Sequence, residues 1–198
     1  MEIPSYDEIR ALHRKHAPSD AAFELVFTHC EIVASLAEQF LSRHGRGVDA
    51  ELVRAGCLLH DIGVYRLYDS AGRLDGASYV THGVLGHRLL AAEGLPETLC
   101  RFCSCHTGVG LTQEDVLAQG LPIPPADYVP VTPEERMVMY ADKFHSKSTP
   151  PRFVSPDTFE ARIARFGPEK VTTFQALRRQ YGDPELDALA AAHGHAVT

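Results

Sequence analysis

Across residues 19–43, polar side chains recur at Glu24, Thr28, Glu31, Ser35, Glu38 and Ser42, in alternating steps of four and three. Phe23, Val26, Phe27, Cys30, Val33, Ala37 and Phe40 fill the opposite side, the pattern of an amphipathic helix with one solvent stripe. Ser19 or Asp20 offers an N-cap oxygen, and Gly45 stands just past the last periodic residue. Asp49 caps a second predicted helix, which carries Leu52, Val53, Cys57, Leu58 and Leu59 and runs to about residue 63. A third helix is predicted over about 80–93. Pro96 opens a fourth that reaches about residue 106, and Thr112-Gln-Glu-Asp starts a short fifth in capping-box form. Between residues 121 and 132, four prolines forbid regular structure and predict a long surface loop. Helical pattern then resumes over 133–147, 155–166, 168–181 and about 184–192. Because β-branched and aromatic residues are scattered without alternation, no strand is predicted. The expected fold class is all-α, in one domain.

Composition narrows the function classes. Among 198 residues, 44% are hydrophobic and 23% charged, values typical of a globular protein. The longest apolar runs, 137–141 and 188–192, fall far short of the ~20 residues of a membrane span. An acidic start without a following apolar segment and an odd count of five cysteines both fit a cytoplasmic protein with reduced thiols. With a net charge of −7, the chain lacks the basic footprint of nucleic-acid binders, so a small substrate is expected.

Candidate chemistry lies in the histidines and in two carboxylates. His29 stands on the apolar side of its helix, between Leu25, Ile32 and Leu36. Taken alone it reads as a hydrogen-bonded core histidine. In Cys-Leu-Leu-His60-Asp61-Ile-Gly a carboxylate is embedded in an apolar run, which is costly unless a cation or several donors meet it. Asp142 repeats the situation in Met-Val-Met-Tyr-Ala-Asp-Lys-Phe, with Lys143 as a simple partner. Two acids and two inward imidazoles form a donor set suited to a divalent transition metal.

His29, His60-Asp61 and Asp142, in this order on helices, resemble the HD superfamily of metal-dependent phosphohydrolases, and His60-Asp61-Ile62-Gly63 matches the HDIG form of its signature. The resemblance covers about residues 29–147. It implies an HD-type helical bundle with a metal-binding core over about 19–147 and additional C-terminal helices over about 155–192, all one domain. His82 and His106 stand where dinuclear members carry extra histidines. By that resemblance His29, His60, Asp61 and Asp142 hold one metal, and Asp61, His82 and His106 a second. Iron or manganese suits the mixed nitrogen and oxygen set, with zinc as a further candidate.

The implied activity is hydrolysis of a nucleotide or small phosphate ester by a water activated between two metals, with His60 and Asp61 at the catalytic centre. Arg66, Lys143 and His145 are the candidates for contact with the phosphorylated substrate, and Lys147 and Arg152 are further cations nearby. Many such enzymes carry a lysine three residues after the HD aspartate, where this chain has Val64. A second reading follows from the same ligands: an HD-type mixed-valent di-iron oxygenase that cleaves a C–C or C–P bond. His87, five residues after His82, points away on its helix, and His13, His16, His44, His193 and His195 are expected to be exposed. Cys100, Cys103 and Cys105 could join a zinc centre with His106 but read better as small apolar residues on a buried face. The 121–132 loop, placed between His106 and Asp142, is expected to cover the site.

Overall fold

The computed structural model describes residues 2–198. Ten α-helices make up most of the described chain: α1 Tyr6–His16, α2 Asp20–His44, α3 Ala50–Leu59, α4 His82–Ala92, α5 Glu97–Ser104, α6 Gln113–Ala118, α7 Pro133–Asp142, α8 Pro156–Ile163, α9 Pro168–Tyr181 and α10 Asp187–His193. Three 3-10 turns, Ile62–Leu67, Tyr79–Thr81 and Ala164–Phe166, extend or join them. The predicted caps are in place: Ser19 accepts from the Ala22 amide, Asp49 from Glu51 and Leu52, and Thr112 forms a capping box with Asp115; a further capping box, Thr132 with Glu135, opens α7.

Helix α2 packs on α3 and α7, α3 also meets α5, and α4 lies along α5 and the 62–67 turn. One hydrophobic cluster runs from Ile9 to Ala190. Within it, the rings of Phe40, Tyr140, Phe174 and Tyr181 pack in tilted pairs at centroid separations of 5.1 to 6.1 Å, which fastens α9 to α2 and α7. The C-terminal helices therefore share the core of the others.

Several features differ from the sequence reading. Helix α1 was not anticipated, although Ser5-x-x-Glu8 is a capping box: the Ser5 hydroxyl accepts from the Glu8 amide while the Glu8 carboxylate accepts from the Ser5 amide. The helix predicted to run to residue 63 ends at Leu59, and the chain tightens into 3-10 geometry beyond Asp61. A small sheet is present, with β1 His145–Ser146 antiparallel to β2 Arg152–Phe153, and β2 parallel to β3 Ala196–Val197. Two-residue strands are too short to show alternation.

His13 is buried, not exposed, because α1 is amphipathic and presents Ile9 and His13, one turn apart, to the core. One of its ring nitrogens is 2.8 Å from the Leu58 carbonyl oxygen and the other 2.9 Å from the Tyr65 hydroxyl. Burial pushes its pKa down to about 4 from 6.5, against the opposing pull of the Leu58 carbonyl. An unfolded chain binds this proton near pH 6.5 while the native state resists until about pH 4. The native state is therefore unaffected above pH 6.5 and loses stability as pH falls through that window. Replacing His13 by Leu should cost about 1–3 kcal/mol at neutral pH, since two buried polar groups lose their partner, and should flatten the fall in Tm between pH 6.5 and 4. An acid limb as steep as that of the parent protein would show that other groups carry it.

Candidate metal centre

Five segments converge on one buried cage. His29 comes from the middle of α2, His60 and Asp61 from the break after α3, His82 from the first residue of α4, and His106 and Asp142 from the ends of α5 and α7. His29, His60, Asp61 and Asp142 form one group whose potential ligand atoms all lie within 4.8 Å of one another, and Asp61, His82 and His106 form another. Every sequence-predicted member of the cage is thus brought together.

Asp61 serves both groups through different oxygens. Its Oδ2 is 3.1 Å from His29 Nε2 and 3.4 Å from His60 Nε2, while its Oδ1 is 3.3 Å from His82 Nε2 and 3.6 Å from His106 Nε2. Asp142 Oδ1 closes the first group at 3.1 Å from His29 and 3.4 Å from His60.

Ring orientation decides which nitrogens face inward. His60 Nδ1 lies 2.7 Å from the Cys57 carbonyl, His82 Nδ1 2.5 Å from that of Tyr79, and His106 Nδ1 2.9 Å from that of Phe102. A carbonyl can only accept, so each Nδ1 donates and each ring turns its Nε2 to the centre, as a lone pair where the ring is neutral. His29 Nδ1 instead meets His145 Nδ1 at 2.9 Å, and His145 Nε2 meets His195 Nδ1 at 3.0 Å. The His82 and His106 lone pairs, which face each other at 2.9 Å, repel unless a cation lies between them, while His29 Nε2 and His60 Nε2, 3.2 Å apart, both face the two carboxylates.

These separations test the fit of a metal. Two ligand atoms about 2.1 Å from a transition-metal ion are about 3.0 Å apart at a right angle and about 3.4 Å apart at the tetrahedral angle. The cage edges span 2.9 to 3.6 Å. Asp61 Oδ1, buried without a hydrogen-bond partner, faces the His82 and His106 nitrogens. The donor set and its spacing fit divalent metal.

Close backbone approach makes the cage this tight. A Cβ on Gly63 would stand 2.1 Å from the His82 carbonyl oxygen and 2.3 Å from the Gly86 amide, so only glycine lets the 62–67 turn reach α4. Gly83 likewise allows α4 to approach the Cys103 carbonyl oxygen, which a Cβ would meet at 2.7 Å.

Charge is unevenly shared. Burial opposes the Asp61 charge, yet Lys147, whose ammonium meets Oδ2, together with His60, holds this carboxyl well below the usual range. Asp142 is lowered in the same way: burial is outweighed by Lys143, His29 and His60. Burial pushes His82 down to about 3 and also lowers His106, so both stay neutral.

The other predicted residues are placed differently. Lys143 lines the cavity over the cage, but its ammonium is held by the His106 carbonyl at 2.8 Å and Asp142 Oδ2 at 2.7 Å. His145 also lines it, with both nitrogens engaged by His29 and His195. Arg66 is the exposed position of its 3-10 turn, lies beside His16 and is not among the cavity-lining residues. Arg152 binds Ser148 Oγ from β2. His87, outside the cage, contacts Ser104 and Glu97. His195 and His16 are half-buried rather than exposed, because β3 carries the first to His145 and Glu93 engages the second at 2.9 Å. All five cysteines are buried and free, and neither ligand group contains one.

A cavity of about 700 Å³ opens over the cage. Its walls are largely apolar, including Val64, Leu74, Val80, Leu111, Val154 and Phe159. Of the 121–132 segment, Leu121 alone lines it, so the proline-rich loop is not the cover that the sequence suggested. That loop is instead tied to the core: buried Glu135 accepts from Arg101 and from the Val131 and Thr132 amides, and Arg101 also donates to the Val129 carbonyl.

Comparison with known proteins agrees with this architecture. An uncharacterised protein of Methanocaldococcus jannaschii, MJ0778, is 38% identical over 122 residues, 60% of this chain and 65% of that protein. The tRNA (cytidine(56)-2'-O)-methyltransferases of Picrophilus torridus and Thermoplasma volcanium are 34% and 33% identical over 65% and 71% of this chain. The chain spans 33% and 36% of their lengths, and less than two thirds of MJ0778. In fold it is similar to the HD domain of the L. monocytogenes phosphodiesterase PgpH, with a TM-score of 0.53 at 16% identity, covering 94% of this chain and 99% of that one. The same domain in complex with cyclic-di-AMP matches with a TM-score of 0.50 at 15% identity, covering 89% and 96%. Among the described residues, no helix is long and apolar enough to cross a membrane. A family profile described as HD domain matches residues 26–147, a span that contains every member of the cage, and the chain belongs to that family.

Proposed function

We propose that this protein is a metal-dependent phosphohydrolase acting on a nucleotide or other small phosphate ester. In this reading residues 19–147 hold the metals, and 155–192 extend the same domain. His29, His60, Asp61 and Asp142 would hold one divalent ion, and Asp61, His82 and His106 a second, with iron or manganese preferred to zinc. The observation that carries the reading is the set of inward nitrogens and carboxylate oxygens at ligand-edge spacing around one doubly used carboxylate. Such a pair, when bound, supplies Lewis acidity at a phosphoryl oxygen and a water acidic enough to ionise near neutral pH.

Lys147 favours phosphate as the substrate group. Val64 occupies the position where the resemblance to HD phosphohydrolases leads one to expect a lysine, while Lys147, just after β1, brings an ammonium to Asp61 and to the cavity wall. An anion entering beside the cage would meet that charge. The fold neighbour titled a phosphodiesterase, one of whose structures holds cyclic-di-AMP, supports a phosphate ester as the substrate class. The methyltransferase name belongs to proteins of which this chain matches about a third. An HD-type di-iron oxygenase would use the same cage, and Lys147 at its rim weighs toward phosphate.

Elemental analysis of anaerobically purified protein, with bis(p-nitrophenyl) phosphate hydrolysis measured beside oxygen uptake, tests the reading: hydrolysis is expected and uptake is not. His60→Ala and Asp61→Ala should lose bound metal and hydrolysis together. His82→Ala and His106→Ala should retain about one ion of two, and unchanged metal content in both would eliminate the two-ion arrangement. His145→Phe, which leaves His29 Nδ1 without its acceptor, should weaken metal binding by about 10–100-fold while the fold is retained. Lys147→Met should raise KM for the phosphodiester more than it lowers kcat.

A further inference from the structure

The C-terminal elements contribute to the cavity a set of side chains that the metal cage does not use. Arg162 on α8 and Arg165 and Phe166 in the following 3-10 turn all line it. Both arginines are exposed, and among the described residues neither guanidinium has an ion-pair or hydrogen-bond partner. The other cations lining the cavity are engaged: Lys147 by Asp61, Lys143 by Asp142 and the His106 carbonyl, and Lys170 by Asp115 and the Gly110 carbonyl. Asp61 and Asp142 are the only carboxylates in the lining, against five cationic side chains, in a chain of net charge −7.

Two large hydrophobic side chains are left exposed at the same cavity, Phe166 at 44% and Leu74 at 39%, from elements far apart in sequence. The Arg165 guanidinium lies over the Phe166 ring, 4.6 Å from its centroid, which gives an aromatic platform carrying positive charge. The cavity volume of about 700 Å³ lies in the range that encloses a drug-sized ligand and far exceeds what one phosphate fills.

From this juxtaposition we infer that Arg162, Arg165 and Phe166 form a distal subsite that selects nucleotides carrying a second phosphate, with the base against Phe166 and the second anion on the two guanidiniums. The inference rests on the phosphohydrolase reading, which assigns the first phosphate to the metal end. Arginine forks match phosphate bidentately, and base stacking on an aromatic ring tolerates any base, so the subsite selects for the second charge more than for base identity.

Binding of adenosine 5′-monophosphate and adenosine 3′,5′-bisphosphate to the metal-loaded full chain, measured by calorimetry, tests the subsite independently of turnover. The bisphosphate should bind about tenfold more tightly, a preference that weakens with salt. R162A/R165A should bring the ratio to about one, R162K/R165K should restore part of it, and Phe166→Ala should weaken both nucleotides by about the same factor. A ratio near one in the parent protein, or an unchanged ratio in R162A/R165A, would overturn the inference. Hydrolysis of bis(p-nitrophenyl) phosphate by the parent protein separates the two proposals: turnover without discrimination defeats the subsite alone, and discrimination without turnover defeats the hydrolase reading alone.

Discussion

Two carboxylates and four imidazoles are packed into one water-poor cage, and everything else in the molecule accommodates the need to bring positive charge to it. Isolated ionised carboxylates cost several kcal/mol each to bury. Lys147 and Lys143 answer part of that cost at Asp61 Oδ2 and Asp142 Oδ2. They do not reach the other side of Asp61, where Oδ1 has no hydrogen-bond partner and faces two neutral nitrogens. The protein's own cations thus serve one side of the cage, and the His82 and His106 side offers neutral donors to the free oxygen of Asp61.

Tolerances of a few tenths of an ångström decide whether such a cage can exist. Three of the four ring orientations are fixed by carbonyls in the helical turn preceding the histidine, at Cys57, Tyr79 and Phe102. Each ring is therefore set locally, before tertiary packing, and the helices need only be brought to the correct separation. Glycine does that at two close backbone approaches, Gly63 against α4 and Gly83 against α5. In physical terms the Ile-Gly that follows His-Asp is a packing requirement: the carboxylate belongs to both ligand groups, and the glycine two residues later lets His82 share it.

Much of this was legible in the sequence because it is local or periodic. The α2 stripe, the caps at Ser19, Asp49 and Thr112, and the conflict of Asp61 and Asp142 with their apolar surroundings can all be read from short windows. What escaped reading is non-local. His13 stands among Arg14, Lys15 and His16 and looks solvated, yet its helix face and the distant Leu58 carbonyl bury it. His195 lies near the chain end and is drawn to His145 by a sheet of two-residue strands that no periodicity reveals. Lys143 was readable as a partner of Asp142, but only the turn out of α7 into β1 shows that Lys147 reaches Asp61. Even the short helix α1 had its signal, the Ser5 and Glu8 capping box, without an apolar run long enough to support it.

The division of labour between the family segment and the rest of the chain follows from where charge is neutralised. Within residues 26–147 every cationic group that faces the cavity is held by a carboxylate or carbonyl of the cage, so that segment is electrostatically self-contained. Beyond it, Lys170 is similarly engaged by Asp115 and the Gly110 carbonyl, which anchors α9 to the wall that follows His106. Among the described residues, Arg162 and Arg165 have no ion-pair or hydrogen-bond partner at the cavity they line. A fold shared with distant relatives at about 16% identity can hold the same reactive centre in many settings, since fold alone does not choose a substrate. Choice must come from groups whose charge is not already committed, and at this cavity mouth those groups lie outside the segment that the family has in common.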